Sequence, residues 1–455
     1  MFEGKFQKPL VALAASLVII AGLPFATYSG QPIIWEISGR AELLKGDARG
    51  VSISDTGMLM LAPALTEIFN SEQAFVWSST VDNQGNVYLG TGHDGKIFRV
   101  SPDGRGSLLY DAPELDVTAL AAAGDGAIYA GTSPDGKVYR IAPDGHAEVY
   151  FDPADKYIWS LAVLADGSLA VGTGDNGKLY RVRMAGAKPE SSLLIATNQT
   201  HVISLAVTAQ GDLIAGTDPG GLVLRISPEG KAFALFDARL REIHALAPAA
   251  DGSIYVLALS EAASTGRQPP SPAPPVPAVE GSNVPATSVT ITPIDETGAP
   301  IQSTAQAARS RTDTSSARSA VFRVLPDGAT DIIWSSSSIT AFAIAPGLQP
   351  GSVLIGTADK GRIYSVTNDG RDTLLLQSSE GQISSFFVRS GQVYAASSNQ
   401  GKLFRFGKEL VAQGSYESPV RDAKLTATWG RIWWRGSGNV ELQTRTGNGE
   451  RPDST

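Results

Sequence analysis

Three stretches of the chain spell motifs associated with phosphate chemistry. Residues 90–95 (GTGHDG) and 172–177 (GTGDNG) both read G-x-G-x-x-G, and Gly131 to Lys137 reads G-x-x-x-x-G-K. A dinucleotide cradle needs such glycines between a strand and a helix, so that the helix N-terminus meets the pyrophosphate. Here each motif runs into a short alternating strand that carries Arg99, Arg140 or Arg181. Val138 also stands where a P-loop needs Ser or Thr. The motifs therefore read as hairpin turns, and no cofactor is expected.

Other chemistry-bearing residues are sparse. The chain has no Cys, which excludes disulfides, thiolate metal sites and thiol catalysis. Its four His are His93, His146, His201 and His244, and none forms an H-E-x-x-H pair. His146 follows a Pro-Asp-Gly turn and is expected in solvent. His201 and His244 begin neighbouring inner strands, so both are candidates for an axial mouth. Asp94, Asp135, Asp175, Asp218 and Asp359 lie on loops at one end of successive repeats. With Trp77 and Trp159 they complete a candidate binding site, either a polar ring at the mouth or a set of solvated turn carboxylates. No G-x-S-x-G elbow is present. Arg99, Arg140, Arg181, Arg225, Arg323 and Arg405 recur at one position, where repetition argues for scaffold: a fork bonding carboxylates or carbonyls of adjacent units.

The elements that position these residues are repeats. VYLGTGHDGKIFRVSPDG at 87–104 returns at 128–145, 169–186, 213–230 and 353–370, with a worn copy at 393–410. A period of roughly 40–45 residues is a propeller signature. Within 116–151, Val117–Ala122, Ile128–Thr132, Lys137–Ile141 and Ala147–Phe151 read as four short strands. Asp-Gly and Pro-Asp-Gly turns separate them, with Gly supplying positive φ. Nothing between them is long and periodic enough for a helix, so a parallel β/α fold is excluded. Units begin near Phe75, Asp116, Tyr157, His201, Glu242, Ile339 and Gln382, which predicts seven four-stranded antiparallel blades. The first strands align Leu120, Leu161, Leu205, Leu246, Phe342 and Phe386. Two residues earlier come Thr118, Trp159, Ile203, His244, Thr340 and Ser384, with Trp77 in the first unit. Small residues lie between, which suits innermost strands with one large face and one small face.

The flanks differ. Residues 1–30 hold Lys5 and Lys8 before an uncharged run at 10–26, a signal peptide or membrane anchor. Residues 31–74 are strand-like but off-period, and Leu65–Phe69 is expected to pair with the last blade and close the ring. The propeller spans 75–413. Its fifth unit is interrupted between Ile254–Leu259 and Ala320–Leu325 by Pro/Ser/Ala-rich sequence at 260–319, read as a disordered rim loop. Residues 414–455 lose the repeat. Strands are expected near Leu425–Trp434 and Val440–Thr446, as the start of a β-sandwich-like module. Trp429, Trp433 and Trp434 there serve core packing or a sugar platform.

The pattern Leu-Ala-x-x-x-Asp-Gly-x-Ile-Tyr-x-Gly-Thr-x-x-x-Gly-Lys-x-Tyr-Arg-Ile is similar to propeller repeats of the WD-repeat/YVTN-like and quinoprotein-like superfamily. It most resembles two-component-regulator propeller repeats. No Trp-Asp ends the third strands, and the outer-strand Trp motifs of quinoprotein dehydrogenases are missing. The resemblance implies an all-β propeller that senses or recognises outside the cytoplasm. The expected function is a non-catalytic, extracytoplasmic module for a protein or carbohydrate ligand, periplasmic, cell-surface or secreted. A net charge of −8 argues against nucleic acid. The alternative is a metal-dependent lactonase or lyase working at the mouth through acidic residues and His201 or His244.

Overall fold

The computed structural model describes residues 34–186, 188–261, 314–389, 391–424, 428 and 430–447. The hydrophobic N-terminal run at 10–26 lies outside the described residues, as do 262–313 of the insertion. Among the described residues no helix is long and apolar enough to cross a membrane. Among the described residues the one complete helix is Arg40–Leu43, and the other complete elements are β-strands.

Seven sheets carry four antiparallel strands, as the turn spacing predicts; in six of them the four strands are consecutive in the chain. Their first strands are Val76–Val81, Asp116–Ala122, Ile158–Val163, His201–Val207, Glu242–Pro248, Ala341–Pro346 and Gln382–Arg389. Each touches the first strand of the next blade, and the seventh touches the first. The ring is therefore closed with these strands innermost. Apolar residues fill the spaces between blades: Val117 and Ile128 meet Tyr88 and Ile97 of the preceding blade, for example.

The Gly-Thr signature explains how blades fit. A Cβ on Gly131 would lie 2.5 Å from Cγ2 of Ile158 in the next blade, and one on Gly216 would lie 2.4 Å from Cγ2 of Ile243. Gly90 faces Val117, Gly172 faces Val202 and Gly356 faces Ile383 in the same way. Only a residue without Cβ admits the neighbour this closely. The following Thr is fully buried in each case. Thr91 donates to the Lys96 carbonyl at 3.1 Å and accepts from its amide at 3.0 Å, so the hydroxyl staples the loop shut. In blade five Leu257 replaces the glycine, and blade six answers with Ala341 in place of the β-branched residue.

Closure comes from the N-terminal side, as the sequence predicts. Pro63–Asn70 pairs with Lys402–Leu410 as the outer strand of blade seven, in register Leu65↔Phe406 and Phe69↔Leu403. This covers an otherwise open sheet edge. Beyond expectation, Val51–Ile53 and Leu59–Leu61 extend blade six outward, and Asp47–Arg49 pairs with Ser415–Glu417. That last strand is the short C-terminal β segment. The described residues beyond it, including 440–446, carry no strand. Blade five resumes in register after the insertion, with Ile254–Leu259 pairing Ser319–Val324.

Two expectations need correction. Alignment in blade six is off by two. Ala343, not Ala341, lies opposite Gly356, so Phe342 rather than Thr340 corresponds to Trp159. Both alanines satisfy the small-residue rule, and the absence of a β-branched residue at 341 removed the cue. The arginine fork also acts mostly within one blade. Arg140, Arg181, Arg225 and Arg323 bond Asp125, Asp166, Asp212 and Asp251 in the first turn of their own sheet, and only Arg99 reaches a carbonyl of the next blade, that of Pro143. The second and third strands are neighbours, so that turn is the nearest carboxylate.

Gly131→Ala should lower the free energy of unfolding by about 1–3 kcal/mol through overpacking. Gly124→Ala, where nothing lies within 4 Å, should stay within about 0.5 kcal/mol of the parent. Urea denaturation of both variants checks the pair, and equal stability would contradict the close-approach role.

Candidate functional site

Every inner strand contains one extra residue. Pairing between the first and second strands skips from Val76 to Ser78, Val117 to Ala119, Ile158 to Ser160, Val202 to Ser204, Ile243 to Ala245, Ala341 to Ala343 and Ile383 to Ser385. The residues left between are Trp77, Thr118, Trp159, Ile203, His244, Phe342 and Ser384. A bulge bends the strand and re-aims the side chain at that position. Simple alternation, on which the large-face reading rested, therefore fails where the candidate residues sit. The bulges lie opposite the C-terminal ends of the second strands. They share one face with the second-to-third-strand loops and with the loops that enter each blade.

The large bulge residues gather aromatic partners. Trp77 is 52% exposed and stacks on Phe75 with centroids 5.9 Å apart, and His93 lies 5.0 Å from Phe75. Trp159 stacks on Tyr157 at 5.1 Å. The motif glycines make room for these rings rather than for a phosphate: a Cβ on Gly92 would collide with Nε1 of Trp77, and one on Gly174 with Nε1 of Trp159. His244 meets Phe342 edge-on at 5.6 Å, and its Nδ1 lies 2.6 Å from Glu242 Oε1.

His201 occupies the position of Tyr157, not that of His244. The Trp159 indole donates to its Nδ1 at 3.0 Å, and the Asp175 amide approaches the same atom at 3.4 Å. Both donors require an unprotonated Nδ1, so the neutral ring carries its proton on Nε2. Burial lowers the His201 pKa below the ordinary 6.5, against the opposing carboxylates of Asp218 and Asp175.

Four of the five candidate aspartates are paired with cations. Asp94 pairs with Lys96 at 3.4 Å, Asp175 with Lys156 at 3.6 Å, Asp359 with Arg362 at 2.9 Å, and buried Asp218 with Arg241 at 2.7 Å. Asp135 is exposed at positive φ on its loop. His146 is exposed on the opposite set of turns. Among the described residues no group of three or more His, Asp or Glu is placed to hold a metal ion.

Several contributors escaped the sequence reading. Phe75, Tyr157 and Glu242 stand two residues before the bulge, and that aromatic-x-Trp or Glu-x-His spacing was the available signal. The Lys that follows the second-to-third-strand loop in several blades is tied to carboxylates. Lys137 bonds buried Glu114 at 3.1 Å, Lys178 bonds buried Asp155 at 3.1 Å, and Lys402 bonds Glu380 at 2.8 Å. These hydrogen bonds raise the lysine pKa values and hold the loops that enter the blades.

Because the folded pKa of His201 lies below the unfolded one, its neutral form contributes stability at neutral pH. That contribution falls as pH drops below 6.5 through the folded value. Trp159→Phe removes the donor to Nδ1, so the His201 pKa should move up toward 6.5, followed by the imidazole NMR shifts on titration. An unchanged or lower value would contradict the assigned tautomer.

No family model matches the chain, and no curated protein matches it in sequence. Solved structures do match. Selenomethionine-substituted virginiamycin B lyase from Staphylococcus aureus superposes with a TM-score of 0.55 at 13% identity, over 76% of this chain and 99% of that one. YCF48 bound to D1 peptide gives 0.50 at 12%, over 77% and 98%. The Cps50 (Swd1) β-propeller domain of Myceliophteria thermophila gives 0.50 at 11%, over 76% and 100%. At these identities the likeness is one of fold: the chain is a seven-bladed β-propeller whose structural neighbours include both enzymes and binding modules.

Proposed function

We propose that this chain is a non-catalytic recognition module that binds a protein or peptide partner at the bulge-lined mouth of its propeller. The observation that carries the reading is Trp77, half exposed and stacked on Phe75 at a position built to re-aim it. Large amphipathic rings on a rigid frame give contact area at low cost in conformational entropy. The propeller in YCF48, shown with a peptide, supports the same use of the fold. Lys5, Lys8 and the uncharged run at 10–26 support export, with the partner met outside the cytoplasm.

One observation favours a second reading. The Glu242–His244 contact at 2.6 Å orients an imidazole in the way a general base is held. In that case the mouth would turn over an ester, lactone or eliminable substrate.

A displayed peptide library and a glycan array, both probed with the purified chain, test the reading. Peptides should be retained, and Trp77→Ala should weaken them about tenfold, as expected of a central aromatic anchor. Retention of no peptide, or retention indifferent to Trp77, overturns it. Glycans retained through Trp77 would replace the protein partner with a carbohydrate. Turnover of a lactone and ester panel that is lost in His244→Ala would replace it with the enzyme.

A further inference from the structure

We infer that the partner segment is cationic and lies across the inner strands of blades one to three. This rests on the mouth being a peptide-binding site. Consecutive bulges there present Trp77, Thr118 and Trp159, two large rings separated by a small residue. The two rings stand on equivalent stacks, Phe75 beneath Trp77 and Tyr157 beneath Trp159. An extended chain laid over this arc would pass one ring, a saddle at Thr118, and the second ring. Blades four to seven present Ile203, His244, Phe342 and Ser384 instead and offer no such pair.

Carboxylates outnumber the lysines around the arc. Asp94, Asp135 and Asp175 are exposed on its three second-to-third-strand loops, and Asp116 is 30% exposed at the His93 amide. The lysines beside them balance them only in part, and among the described residues Asp135 and Asp116 have no lysine paired with them. Lys137 and Lys178 are held by buried Glu114 and Asp155, and Lys96 is held by Asp94. Lys156, largely exposed, pairs with Asp175 at 3.6 Å. An aromatic face flanked by carboxylates attracts Lys and Arg twice, by cation–π contact and by Coulomb attraction.

The test is a Trp-fluorescence titration of the full chain with three peptides of equal length: one alternating Lys and Arg with Gly, one Ser/Gly, and one alternating Glu with Gly. The basic peptide should bind at least about tenfold more tightly than the others, and should lose affinity severalfold between about 20 and 300 mM salt as screening sets in. Trp77→Ala should cost about tenfold. Asp94→Asn with Asp175→Asn, both exposed loop positions, should weaken the basic peptide and flatten its salt dependence. Equal or better binding of the Ser/Gly or Glu peptide overturns the inference, as does basic-peptide binding that ignores Trp77 and the two aspartates. If the library instead yields Trp77-dependent peptides that are neutral or acidic, the cationic assignment falls and the mouth remains. If it yields no Trp77-dependent peptide, both fall.

Discussion

The structure depends on a close contact repeated around the ring. A glycine near the end of a second strand admits a β-branched side chain from the first strand of the next blade, as Gly131 admits Ile158 and Gly216 admits Ile243. This contact sets the distance between blades. Where blade five breaks the rule with Leu257, blade six compensates with Ala341, so volume at the contact is exchanged rather than lost. Blade seven carries Ala396 at the glycine position, and the residue facing it from blade one is Val76. Seven such fits close the ring. The N-terminal strand Pro63–Asn70 then covers the final sheet edge.

The same contact shapes the mouth. The residue that packs on the preceding blade's glycine and the small residue opposite its own blade's glycine are separated by one position. That position has no partner across the sheet and becomes the bulge. Scaffold and site thus share three consecutive residues: Ile158 locks blade three to blade two, Ser160 faces Gly172, and Trp159 is free to carry function. Variation at the bulge costs the scaffold little, which accounts for residues as different as Trp77, Thr118, His244 and Ser384 at one structural position. Asymmetry within a symmetric ring is what a recognition surface requires.

Much of this was legible in the sequence. Period, turn chemistry and the Gly-Thr pairs specify the blades, and Leu65–Phe69 announces itself as a fourth strand standing before the first repeat. The mouth was only partly legible. Trp77, Trp159 and His244 stand out as inner-strand residues, but a bulge leaves no mark in an alternating pattern, so their divergence from the sheet faces could not be read. The aspartates shared a loop position, yet some of their partners come from distant loops, such as Arg241 for Asp218. Blade six slipped in register because Ala341 and Ala343 are interchangeable by size, and only the pairing with Gly356 separates them.

The most direct measurement is fluorine NMR of the chain labelled with 5-fluorotryptophan, recorded with and without a selected ligand. Seven tryptophans are present, and single Trp→Phe variants assign them. The account predicts that Trp77 and Trp159 shift on binding while Trp334, buried in blade five, and the exposed Trp433 and Trp434 stay in place. Shifts confined to Trp433 and Trp434, with the mouth resonances unmoved, would contradict it and put recognition on the C-terminal segment.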